Sequence, residues 1–179
     1  MIGGIVWAWA NNESVFLGIF QCLVGGDEYS ATIIWHHQRT TTGRLDLLLK
    51  LARQQIKDQS LIDDLSKLME RFRSLSKWRN FYCHATYHVN SKREIQSAQG
   101  ITLAQDGEPI RLESKVFDRA TANEMTQAIL DLNDFNREIW AFVERVEGAL
   151  KVQRVKRPQL LDEMMAQDGH PPKDDPPAQ

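Results

Sequence analysis

The sharpest hydrophobic pattern in the chain runs through its middle. Leu61, Leu65, Leu68, Phe72 and Leu75 recur at alternating spacings of four and three, which marks the buried face of an amphipathic helix. Two more steps of that rhythm land on Arg79 and then Tyr82. A guanidinium thus stands where an aliphatic side chain would extend the seam. Burying a permanent charge is unfavourable unless it is paired or faces a wet cleft, so Arg79 is the position that asks for an explanation. The pattern predicts a helix from about Ser60, with Asp63 or Asp64 capping its first turn, through His84 to about Tyr87.

Three further helices follow from the same periodicity. Ile5, Trp9, Phe16, Ile19, Phe20 and Leu23 outline a buried first helix over about Ile5–Val24, ending at Gly25-Gly26, a common stop signal. A second is expected after Asp27 and up to about Ile56, with Ala31, Ile34, Leu45, Leu48, Leu49 and Ala52 facing the core. Thr40-Thr41-Thr42-Gly43 is where it would kink or break, because Gly and β-branched residues are poor helix interiors. Met125, Ile129, Leu132, Phe135, Ile139, Phe142, Val143 and Val146 place the last helix over about Thr121–Leu150. Ahead of it the period changes: Ile101–Ala104 and Pro109–Leu112 flank Asp106-Gly107, the pattern of a hairpin. The fold class expected is all-α, a four-to-five-helix bundle with a small β-hairpin insertion, at about residues 89–118, between the third and last long helices.

Composition sets the limits of the domain. Of 179 residues, about 1–155 suit a single helical domain. Residues 156–179 read as a disordered acidic and Pro-rich tail, closing on Pro171-Pro172-Lys173-Asp174-Asp175-Pro176-Pro177, a composition that buries too little apolar surface to order itself. The net charge of −2 conceals this division. Residues 162–179 carry a net −4, leaving the body at +2, which is compatible with a polyanionic partner without requiring one. The two cysteines, Cys22 and Cys83, fall in apolar-periodic segments and read as buried thiols, which leaves no disulfide framework and points to a cytoplasmic chain. Met1–Gly26 is hydrophobic but has no basic leader and is interrupted by Asn11-Asn12-Glu13, so neither a signal peptide nor a membrane span is expected.

The chemistry-bearing stretch is Arg79-Asn80-Phe81-Tyr82-Cys83-His84. It gathers a fixed cation, an amide and a titratable imidazole within one and a half helical turns. A structural account is available for each residue: Arg79 in a buried ion pair with Glu13 or a carboxylate of the last helix, His84 as a core or capping histidine. His84 and His88 stand four apart, a spacing used by metal ligands, and His36-His37 offers a third imidazole. No Glu follows His84 and no thiolate has ligand spacing, so no metal is assigned. Lys77, Tyr87, His88 and Arg93 are the weaker substrate-binding candidates, with Arg71, Arg73 and Lys92 nearby as a basic surround. Trp78, directly before Arg79, is a packing residue, a dimer contact or a base-stacking surface.

Arg-Asn, three residues and His at the end of the third helix resembles the HEPN superfamily, whose pattern is Arg, four to six residues, then His, often with a polar residue after the Arg. Arg79, Asn80 and His84 match those three positions. The helix order over about residues 1–150 is also similar, including a Trp-rich first helix carrying Glu13. Two positions depart from common relatives: Ala85 replaces a Gly after the His, and Thr86 stands where others have Tyr, with Tyr87 following. The resemblance implies a metal-independent endoribonuclease without cofactors, acting on RNA as a homodimer. A toxin or defence effector, restrained by an antitoxin or other regulatory protein, is the implied setting. His84 would be the acid/base and Arg79 would stabilise phosphate charge. A five-residue separation puts the two about 140° apart on a straight helix, so either the helix distorts or two copies meet. The alternatives are a non-catalytic HEPN-like module that binds RNA or a protein partner, and a purely structural helical scaffold.

Overall fold

The computed structural model describes residues 1–25, 27–102 and 111–152. Five helices and three strands follow one another: α1 (Ile2–Val24), α2 (Glu28–His37), α3 (Thr41–Gln55), α4 (Gln59–His84), β1 (Thr86–Val89), β2 (Ile95–Thr102), β3 (Arg111–Val116) and α5 (Arg119–Leu150). The helices form the bulk of the molecule, and the strands make one antiparallel sheet in the order β1-β2-β3.

Local chemistry explains where each helix starts and stops. Gly25 takes a left-handed conformation, φ 63°, and ends α1 with its N–H on the Gln21 carbonyl, a backbone state that costs Gly little. The long second helix expected from Asp27 to Ile56 is two helices. The chain becomes extended at Gln38, α2 having begun under an Asp27 cap. It restarts at Thr40, whose side-chain oxygen accepts from the Gly43 N–H at 3.1 Å. The cap of α4 is Asp58, accepting from the Ser60 N–H at 2.9 Å, in place of Asp63 or Asp64. At its other end α4 stops at His84, with Ala85 extended. Tyr87 and His88, expected on the helix, lie instead on β1. The Tyr87 hydroxyl donates to the Tyr82 carbonyl, satisfying one of the acceptors that a helix C-terminus leaves open.

The insertion is larger than a hairpin. β1 pairs with β2 from Thr86↔Gln99 to His88↔Ser97, with an irregularity before Val89↔Ile95. β2 pairs with β3 from Ser97↔Val116 to Thr102↔Arg111. The β1–β2 turn is built on Asn90, whose side-chain oxygen accepts from the Lys92 and Glu94 N–H groups at 2.9 Å each. The expected hairpin arms overlap β2 and β3 only at Ile101–Thr102 and Arg111–Leu112. The Asp106-Gly107 turn and the acidic tail fall outside the described residues.

The core lies where α1, α4 and α5 meet. Trp9 stacks on Phe72 with centroids 3.9 Å apart, and Phe72 stacks on Phe135 at 5.6 Å. Such faces combine large apolar burial with a favourable ring geometry. Asn12 is fully buried among them. Its amide donates to the Ala8 and Leu132 carbonyls at 3.0 and 2.9 Å, and its oxygen accepts from Asn136 at 3.0 Å. Two expected burials fail: Ile34 is 44% exposed, and Cys83 is exposed while Cys22 is buried. Among the described residues no helix is long and apolar enough to cross a membrane.

Candidate functional site

The seam of α4 changes partner at Arg79, and this accounts for the misplaced charge. Up to Leu75 its apolar positions face the helices, and beyond that Trp78, Phe81 and Tyr82 turn toward the sheet. The contact is close: a Cβ on Gly100 of β2 would fall 2.7 Å from Phe81 Cε2. Lys115 of β3 lies over both rings, its Nζ 5.0 Å from the Trp78 centroid and 5.8 Å from that of Phe81, while bonding Glu124 at 2.8 Å. Burial alone would lower the Lys115 pKa, and the hydrogen bond and charge of Glu124, together with Tyr82 and Glu113, outweigh it to leave the ammonium raised. Arg79 is left half-buried at the margin between bundle and sheet.

Two cavities open beside this margin. One, of about 420 Å³, is walled by Trp9 and Glu13 of α1, by Arg39–Thr42 and Arg44 around the α2–α3 junction, and by Arg73, Ser76, Arg79 and Asn80 of α4. The other, of about 670 Å³, runs between α4 and the sheet, past Ser76, Lys77, Asn80, Phe81 and His84 on the helix and Gly100, Ile101 and Glu113 on the strands. Arg79 belongs to the first and His84 to the second. Ser76 and Asn80 form the ridge that both share.

The expected residues therefore divide. Arg79 Nη1 donates to the Asn80 side-chain oxygen at 3.0 Å, which ties two motif members together. His84 is exposed on the far side of the ridge with Lys77 in the same groove. Tyr87, His88 and Arg93 line neither cavity among the described residues. The Tyr87 hydroxyl is engaged in ending α4, His88 is exposed on β1, opposite Ser97, and Arg93 sits in the β1–β2 turn with φ 62°. The His84–His88 pair loses its shared helical face because β1 begins between them. Among the described residues, no three His, Cys, Asp or Glu side chains converge as metal ligands.

The structural account of Arg79 also changes. Glu13 pairs with Arg44, at 2.8 Å, and accepts from the Thr41 hydroxyl at 2.8 Å. Among the described residues, Arg79 has no carboxylate within ion-pair distance. It lines an open cavity.

Sequence reasoning missed Arg39, Arg44, Ser76 and Glu113. Arg39 carries a weak signal, since it falls in the helix break, where side chains project from a chain reversal. The rest become neighbours only through packing of α1, α3, α4 and β3. Compared with known proteins, the chain matches no family model, no curated protein and no solved structure.

Proposed function

We propose that this chain is a HEPN-like module that cleaves RNA as a homodimer, in the manner of a toxin or defence effector held in check by a separate regulatory protein. The observation that carries the reading is the exposure of His84 and Asn80 beside an open groove, with Arg79 unpaired by any described carboxylate and turned into a cationic cavity. A ribose 2′-hydroxyl would attack the neighbouring phosphorus as the His84 imidazole accepts its proton. The P–O5′ bond then breaks, and a proton returned by the imidazolium, or by water, completes a 5′-hydroxyl beside a 2′,3′-cyclic phosphate. Arg79 is suited to the charge that grows on the phosphoryl oxygens, because its planar donors match that geometry. Within one chain the ridge of Ser76 and Asn80 parts the two groups. The chemistry therefore calls for a second copy, whose Arg79 meets the His84 of the first.

A second reading is favoured by that same separation: a module that holds RNA in the groove without cutting it. The third, a scaffold with Arg79 as an ion-pair strut, has lost its partner to Arg44. One assay separates them. Wild type, His84→Ala and Arg79→Ala are incubated with structured RNAs in EDTA. Cleavage by wild type alone, leaving cyclic phosphate ends, supports the enzyme. RNA retention without cleavage in all three supports the binding module, and failure of Arg79→Ala to fold would return the scaffold.

A further inference from the structure

We propose that the smaller cavity, away from the His84 groove, is an oxyanion site that takes the phosphate groups of a nucleotide-sized ligand. Four guanidiniums line it: Arg39 from the α2–α3 junction, Arg44 from α3, and Arg73 and Arg79 from α4. Against them the wall supplies one carboxylate, Glu13, already bonded by Arg44 and Thr41. Arg73 is paired outward with Asp46 at 2.7 Å. Arg39 and Arg79 have no carboxylate partner among the described residues.

Like charges drawn from three elements into one concavity repel each other unless an anion joins them. A guanidinium is the cation best matched to phosphate, since its fork of N–H groups meets two oxygens at once. The balance of charge on the wall points the same way: four guanidiniums stand against one carboxylate, and an acceptor-only ligand is what the N–H groups of Arg39 and Arg79 lack. The volume, about 420 Å³, lies in the range of small-ligand sites, roughly 300–1,000 Å³, and exceeds what a lone phosphate fills.

The phosphate can come from a free nucleotide or from the end of an RNA chain, and binding data distinguish the two. Pyrophosphate is titrated calorimetrically into the full chain at low salt, then into Arg39→Gln, Arg79→Gln and the double variant. Saturable binding that each single Gln variant weakens by roughly tenfold, as expected on loss of one charge-assisted contact, and that the double variant abolishes, bears the proposal out. Arg79 also serves the cleavage reading, so Arg39→Gln, a residue that reading does not use, is the variant that separates the two, and failure of cleavage would leave its titration unchanged. Displacement of pyrophosphate by ADP assigns a free nucleotide, and displacement by a short 5′-phosphorylated RNA assigns a chain end. Thermal unfolding of each variant shows that the fold is intact. Absence of saturable pyrophosphate binding, equal binding by Arg39→Gln, or displacement by neither competitor would overturn it.

Discussion

Gly100 and Phe81 meet so closely that no side chain fits between them: a Cβ on Gly100 would lie 2.7 and 2.8 Å from Phe81 Cε2 and Cδ2. Both residues line the His84 groove. A glycine here sets how near the sheet can come to α4, and so how wide the groove opens.

Gly100→Ala is therefore expected to lift the sheet from α4. Overpacking of this kind costs about 1–3 kcal/mol, read as a lower midpoint in urea. Restoring the space with Phe81→Leu in the same chain should recover part of the loss, whereas additive destabilisation would show that the contact is not the cause.

Asn12 should be among the least replaceable core residues. Asn12→Leu takes the acceptor from the half-buried Asn136 amide, at 3.0 Å, and removes the bond to the Leu132 carbonyl, at 2.9 Å, which keeps only its place in the α5 ladder. Leaving buried polar groups unmatched costs about 1–3 kcal/mol apiece. Chemical denaturation would measure it, and a neutral Asn12→Leu would contradict the burial described.

The two thiols should differ in reactivity. Burial, reinforced by the nearby Glu147 carboxylate, pushes the Cys22 thiol up to about 11, while Cys83 is exposed. The thiolate is the reactive form, so iodoacetamide at pH 8 should label Cys83 and spare Cys22, as mass spectrometry of the digest would show. The linkage has a definite sign. Above the ordinary thiol value of 9.0 the unfolded chain gives up this proton and the folded one keeps it until about 11. Stability thus falls with rising pH across that window.

Acid should act through the helix caps. Backbone N–H groups hold the Asp118 carboxyl below its ordinary value of 3.8, and hydrogen bonds from Ser30 and Ser60 do the same for Asp27 and Asp58. A depressed carboxyl stabilises the fold above the unfolded value and ceases to do so as pH falls through the folded one. Helical circular dichroism should hold down to about pH 4 and fall below it, with Asp118→Asn losing part of that pH dependence.

If Arg79 and His84 act across a two-fold, two inactive variants should rescue one another. A mixture of Arg79→Ala and His84→Ala chains contains heterodimers in which one cleft has both residues intact. RNA cleavage returning on mixing, toward half the wild-type rate per heterodimer, would show that the site is shared. A mixture as inactive as its parts would place both groups in one chain.

The helices were legible because apolar residues such as Leu61, Leu65 and Leu68 repeat at the helical period and end at real stop signals, Gly25 among them. Strand β1 was not. Tyr87 and His88 continue α4's spacing from His84, and nothing local distinguishes Thr86–Val89 from another helical turn. It becomes a strand because β2 offers it a ladder. The turn at Asn90 has no Gly to announce it. For the site, the motif residues were legible as neighbours in sequence that point about 140° apart on a straight helix, but the walls each would face were not. The packing of α1 and β2 against α4 supplied those walls and set Arg79 and His84 in different cavities.

The Tyr87 hydroxyl on the Tyr82 carbonyl has a consequence for how this protein can be divided. Only Ala85 separates His84 from the first strand, and the tyrosine that closes the helix belongs to the sheet. A chain trimmed to the bundle alone would lose that clamp, and the histidine would stand on a fraying end. The insertion is thus no appendage to be deleted when the helices are transplanted or minimised. The smallest unit that keeps His84 in place includes β1 and its ladder with β2.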